Sequence, residues 1–261
     1  MTAPLIRLHI HDHAGTVILN RAEKRNALNR AMLGELQEAL GDLHLERRVR
    51  AVILTGAGPA FCAGMDLQEM LDTSREENAR QRWQDDADLY RDLLELLWRF
   101  PKPLIAAVNG PALAGGAGLV LGCDIVIASR EAKFGLPEPR RGIVAGLVAP
   151  LLAFRLGGGQ AARLLLSAET IDASEAHRIG LFHELAEPDQ LWPRAVAMAA
   201  ECARSSSEAL QLTKRLLNEM IAEHLPMLLT AGAAVSATAR TTDAAAEGLA
   251  AFLEKREPKW Q

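Results

Sequence analysis

Aromatic residues make up only 4% of this 261-residue chain, with a single tyrosine, and cysteine is confined to three positions. Cys62, Cys123 and Cys202 are odd in number, far apart and without a C-x-x-C pair, which excludes a disulfide framework or a structural zinc site and leaves reduced thiols. No apolar run approaches the roughly 18 residues that a membrane span needs. Met1 to His13 has no basic segment leading into an apolar core, so the expected compartment is the cytoplasm and no membrane partner is expected. A formal net charge of −4 gives no general attraction to nucleic acid. Neither a G-x-S-x-G elbow nor a G-x-x-x-x-G-K loop occurs, which removes the serine-hydrolase and nucleoside-triphosphatase readings.

What the chain does have is apolar material: 49% of its residues are hydrophobic, enough to bury a substantial core. Leu5–His11 and Thr16–Asn20 read as a β-hairpin around Asp12-His13-Ala14-Gly15. His9, His11 and His13 would then share one face, read as solvated because no cysteine or acidic cluster completes a metal set; no metal is expected. Asn29 is placed to cap a helix carrying Leu33, Leu36, Leu40 and Leu43, and Ala51–Thr55 follows as a continuous apolar strand, giving a β-α-β unit. Further runs at Leu104–Val108 and Ile125–Ala128 have the composition of strands covered on both faces by helices, so the fold class is α/β. Ser74–Arg99 is charged and helical, with Tyr90, Leu93, Leu94 and Leu97 near its end; its first half is expected to be lid-like. After residue 188 the composition is helical, with segments at Leu191–Arg204, Ser207–Glu223 and Asp243–Glu257. The expected division is an α/β core over 1–188 and a helical subdomain over 189–261.

Three stretches carry the chemistry. In Lys102–Gly118 a buried strand ends at Asn109-Gly110-Pro111, and Gly115-Gly116 open an apolar helix whose unpaired N–H groups suit an oxygen gaining negative charge. Gly56–Leu67 puts glycines on both sides of an apolar plug and offers a place for a second backbone donor. Glu138 stands between Pro137 and Pro139, which fix its backbone, and precedes the apolar run Ile143–Val148; such a carboxylate is a candidate acid–base with a raised pKa.

Taken together and in this order, Asn20–Leu28, Ala51–Leu67, Lys102–Asp124 and Phe134–Gly142 resemble the crotonase superfamily, the enoyl-CoA hydratase and isomerase family, along nearly the whole chain. The resemblance implies a spiral of β-β-α units with a C-terminal helical trimerisation subdomain. It implies an acyl-CoA thioester as substrate, with coenzyme A part of that substrate and no separate cofactor. The N–H groups of Met65 and Gly115 would hold the thioester oxygen as it becomes an enolate, with Glu138 as the acid–base. Lys24, Arg25 and Ala27 would lie against CoA, Ala63, Gly64, Asp66 and Leu67 would line the acyl end, and Gly116 would also bind the substrate. Phe252 and Lys255 would reach the nucleotide of a neighbouring subunit in a homotrimer or a dimer of trimers.

One position departs from the family pattern. Where hydratases of this type commonly carry a first glutamate, three residues after Gly115, this chain has Gly118; Glu138 matches the second. The expected activity is reversible addition of water to a 2-enoyl-CoA, with a single-glutamate double-bond isomerase and a non-catalytic acyl-CoA binder as alternatives. A glutamate placed at Gly118 is expected to favour hydration. A nicotinamide-binding reading of Gly116–Gly122 is rejected, because Asn109 to Gly115 separate those glycines from the preceding strand.

Overall fold

The computed structural model describes residues 3–221 and 223–260. In chain order the elements are β1 (Ile6–His11), β2 (Ala14–Leu19), α1 (Arg30–Leu45), β3 (Ala51–Gly56), α2 (Leu67–Thr73), α3 (Ala79–Arg99), β4 (Leu104–Val108), β5 (Ala112–Leu113), α4 (Gly115–Gly122), β6 (Ile125–Ser129) and β7 (Lys133–Gly135). Next come α5 (Val148–Ser167), β8 (Thr170–Asp172), α6 (Ala173–Arg178), β9 (Glu184–Ala186), α7 (Leu191–Ala203), α8 (Ser207–Ile221), α9 (Leu225–Ala239) and α10 (Asp243–Leu253). Among the described residues the strands form a six-stranded sheet, ordered β1-β2-β3-β4-β6-β9, and a three-stranded one, ordered β5-β7-β8. β2, β3, β4, β6 and β9 run parallel.

Alternation across the sheet explains the unbroken apolar strands. Leu104, Ala106 and Val108 of β4 face the main core, while Ile105 and Ala107 face a second layer, and β3 divides Val52 and Leu54 from Ala51 and Ile53 in the same way. Successive side chains point to opposite faces, and both faces here are dry. The second layer is covered by α7 through Leu191, Ala195 and Ala199. On the other face α1 is capped by Asn29, whose Oδ1 accepts from Met32 N at 2.9 Å, and buries Leu33, Leu36, Leu40 and Leu43.

Three expectations change. The β1–β2 turn is two residues, Asp12-His13, because Ala14 and Gly15 already pair with His11 and Ile10. Gly15 then sits where a Cβ would lie 2.5 Å from Leu43 Cδ2. His13 therefore leaves the face of His9 and His11, and His11 is half-buried with its ring centroid 5.5 Å from that of Trp192. The first half of α3 is no lid: Trp83, Asp86 and Ala87 are buried. Arg30 fixes Asp86 there through Nε at 2.5 Å and Nη2 at 2.8 Å. Between α8 and α10 lies α9, which packs on α3 and α5 and was not among the expected segments.

Candidate active site

Two loops meet at the start of α4. Ala114, its N-cap, holds φ 50° and ψ −123°, a conformation that costs a non-glycine residue of order 1–3 kcal/mol and persists only where the surroundings impose it. The imposition comes from both sides: Ala114 N donates to Gly135 O at 2.9 Å, and Leu113 N donates to Cys62 O at 2.9 Å. The turn brings Gly115 against Met65: a Cβ on Gly115 would lie 3.5 Å from Met65 N. Neither N–H has a protein acceptor among the described residues. Two backbone donors without acceptors thus sit on neighbouring loops, the kind of group that can hold an oxygen gaining negative charge.

The Met65 side is held by residues remote in sequence. Leu28 N donates to Gly64 O and Asp66 N to Leu28 O, both at 2.8 Å, so the pairing uses the neighbours of Met65 and leaves its own N–H free. Asn26, fully buried, donates through Nδ2 to Ala57 O and Ala60 O at 2.9 Å and to Phe61 O at 3.1 Å. These bonds satisfy carbonyls of the Gly56–Leu67 loop that would otherwise be buried unpaired. Asn26 falls within the Asn20–Leu28 stretch, but nothing in its local sequence reveals this long-range role. Gly64, with φ 96°, lies against Ala114, and a Cβ on Gly116 would fall on Cys62 O. Both glycines are buried behind the donors and neither lines the cleft. Their expected place against the substrate is corrected: they let the two loops close on each other.

Glu138 opens a 3₁₀ turn, Glu138–Arg141, and is 6% exposed. Its Oε2 is buried without a hydrogen-bond partner, and burial pushes its pKa up to about 7. The remaining acids near the site are engaged. Asp66 caps α2 and accepts from Arg21 Nη1 at 2.6 Å. Burial alone would raise Asp66, but the guanidinium and the cap hold it below the ordinary carboxylate range. Asp66 reaches the cleft wall as a clamp on Arg21 rather than as a free ligand. Glu69 accepts from Arg30 N, and Asp124 is paired with Lys214 at 2.7 Å. Cys62 is buried and its thiol is pushed up to about 12, so it is not a nucleophile.

Beside Glu138 stands Tyr90, buried on α3, whose Oη donates to Gly115 O at 2.5 Å. A Cβ on Gly118 would fall on that oxygen and lie 3.2 Å from Val148 Cγ2. The space of the absent glutamate is filled by a phenol. The expectation that a glutamate at 118 would favour hydration is therefore corrected: the substitution would have to expel a buried, hydrogen-bonded ring.

These groups line one cleft of about 420 Å³. Lys24 and Arg25 are exposed along its wall, with Ala27, Ala63 and Leu67 also lining it, and Met65, Gly115, Tyr90 and Glu138 share the same cavity. Trp83 and Leu136 are buried in the core. Phe252 lines the cleft of its own chain, with the Arg141 guanidinium 4.0 Å from its ring centroid. Lys255 is exposed and lies outside the lining. Because α10 packs on α2 and on the turn that carries Glu138, it has a use within the single chain. Sequence reasoning missed Ser236 and Arg240, which line the same cleft.

Paired free donors, a desolvated carboxylate and an apolar cleft with cations along its wall describe an enzyme that handles a carbonyl compound through an anionic intermediate. The model of the family described as enoyl-CoA hydratase/isomerase matches residues 11–261. This chain belongs to the enoyl-CoA hydratase/isomerase family. It is 40% identical over 248 residues to a Thermus thermophilus protein that carries the enoyl-CoA hydratase name, covering 95% of this chain and 97% of the other. It is 36% identical over 243 residues to the short-chain-enoyl-CoA hydratase of Clostridium acetobutylicum, covering 92% and 91%. Among solved structures, the enoyl-CoA hydratase/isomerase of Xanthobacter autotrophicus superposes with a TM-score of 0.89 at 29% identity, with 98% of each chain covered. The α/β architecture with its helical C-terminal region is the crotonase fold.

Proposed function

We propose that this protein is an enoyl-CoA hydratase that adds water reversibly to a 2-enoyl-CoA, with Glu138 as its one working carboxylate. The observation that carries the reading is the desolvated, unpartnered Glu138 in the same cleft as the two free N–H groups. The thioester oxygen accepts from Met65 N–H and Gly115 N–H, and electron density withdrawn to it makes the β-carbon electrophilic. Ionised Glu138 holds a water. As the water oxygen bonds to the β-carbon, its proton passes to Glu138, which then delivers a proton to the α-carbon of the enolate and is a carboxylate again. Tyr90 lines the same cleft, and its hydroxyl, whose proton goes to Gly115 O, can only accept a hydrogen bond from that water. Cations along the cleft wall, Lys24 and Arg25, suit the phosphates of CoA. Coenzyme A belongs to the substrate, so no separate cofactor enters. The compartment that fits is the cytoplasm, and a homotrimer or dimer of trimers fits the exposed Leu212, Leu216, Met220, Met227 and Leu228 on α8 and α9.

Incubating the protein with straight-chain 2-enoyl-CoA thioesters, with and without a terminal carboxylate, and following loss of the conjugated double bond tests this reading. Conversion to the 3-hydroxyacyl-CoA is expected; a folded protein inert on every chain length would overturn it. A double-bond isomerase is the second reading, favoured by the phenol rather than a carboxylate beside Gly118, because one shuttling carboxylate suffices for isomerisation. The missing glutamate of a two-carboxylate site also cannot be restored by one substitution, because Tyr90 fills its place. Gly118→Glu alone should lower stability by roughly 1–3 kcal/mol from overpacking and should not raise hydration. Combined with Tyr90→Ala the glutamate has room, and hydration should recover relative to Gly118→Glu. Thermal unfolding and hydration rates of the two variants check this.

A further inference from the structure

The far wall of the cleft contains a cation without a counterpart. Arg240, at the C-terminal end of α9, lines the cavity one helical turn beyond Ser236. Its Nη1 is buried with no hydrogen-bond partner, and no hydrogen bond or ion pair to its guanidinium occurs among the described residues. The acid whose charge reaches it, Asp86, has both oxygens occupied: Oδ1 by Arg30 Nε at 2.5 Å and Oδ2 by Arg30 Nη2 at 2.8 Å. Glu69 is likewise engaged, by Arg30 N at 3.1 Å and Nη1 at 3.8 Å. Glu138 serves the reaction in the reading above. Ser236 Oγ has only a long bond to Val144 O, at 3.4 Å.

A guanidinium taken out of water without an acceptor is unfavourable, and burial here lowers its pKa to about 10. The surrounding wall is apolar: Met70, Val144, Leu147 and Val148 face the same space. An acyl chain of hydrocarbon alone would cover Arg240 and leave it unpaired. A chain ending in a carboxylate would give the planar fork the acceptor it fits best.

We propose that the acyl group bound here carries a distal carboxylate, received by Arg240 and Ser236, so that the substrate class is the mono-CoA thioesters of dicarboxylic acids. This assignment rests on the reading of the cleft as an acyl-CoA site.

Binding separates the two. Calorimetric titration of the wild type with glutaryl-CoA and with pentanoyl-CoA, thioesters of equal carbon count that differ in the terminal group, needs no turnover. Glutaryl-CoA should bind tighter by on the order of 30-fold, the worth of a charge-assisted contact. Arg240→Met should bring the ratio to within about threefold, and Arg240→Lys should keep a preference of the same sign. The same ratio should appear in kcat/KM for the corresponding 2-enoyl thioesters. Equal binding of the two probes, or tighter binding of pentanoyl-CoA, would overturn the assignment whatever the protein does to enoyl thioesters. A glutaryl preference without any hydration would uphold it and sink the hydratase reading. Binding of neither would remove both. If Arg240→Met does not fold, the wild-type ratio decides alone.

Discussion

Glu138→Gln is expected to cut turnover by at least ~100-fold, the range in which a positioned acid–base contributes, while acyl-CoA binding stays within a few-fold. The amide has the shape of the carboxyl but can neither take the proton from water nor return it to carbon. Wild-type kcat/KM should rise with pH through about 7, the pKa to which burial pushes Glu138, because the reaction starts from the ionised form. The variant should lack that limb. Its stability should change in the opposite direction. The folded pKa is raised from an ordinary 4.5 to about 7, so between those values the folded state binds a proton that the unfolded state has released. Wild-type stability therefore falls as pH rises through this window, by up to about 3 kcal/mol. Glutamine does not titrate and escapes the loss. Unfolding should be near equal for the two proteins at pH 4.5, with the variant more stable at pH 8; a variant less stable at both would mean that Glu138 is held by partners rather than stranded.

The second large effect belongs to a backbone atom. Met65→Pro removes the unpaired N–H of a residue that lines the cleft and should reduce kcat by 10²- to 10³-fold, the cost of losing an oxyanion donor. The substitution breaks no hydrogen bond of the loop, because its pairing with Leu28 uses Gly64 O and Asp66 N, not Met65 N; circular dichroism of the variant checks that the fold is kept. Met65→Ala keeps the donor and should stay within a few-fold of wild type. Comparable losses in both variants, with the fold intact, would move the role from the N–H to the thioether.

The sequence made the centre of this site legible and its periphery obscure, for a physical reason. Glu138 between prolines, glycines at the mouth of an apolar helix and unbroken apolar strands are local patterns that state their own backbone consequences. Asn26, which ties together carbonyls more than 30 residues away, has no local pattern, nor does the pairing of Arg30 with Asp86 that packs the supposed lid. Tyr90 was visible as a core residue of α3. That its hydroxyl occupies the space over Gly118 depends on how α3 crosses α4, which periodicity does not encode. The far wall was missed altogether because α9 is rich in small residues such as Gly232, Ala233, Ser236 and Ala237, so no contrast between polar and apolar faces marked it. Arg240, just beyond that helix, falls in none of the segments expected from the sequence.

Hydration and isomerisation leave different masses, and that difference tests the central claim most directly. Wild-type protein and Glu138→Gln would each be given a 2-enoyl-CoA in water enriched in the heavy oxygen isotope, with the thioester product analysed by mass spectrometry. A product heavier by one labelled water in the wild type, and unchanged thioester with the variant, is the expected result. A wild-type product of unchanged mass with its double bond moved, or a variant that adds water as fast as the wild type, would contradict it.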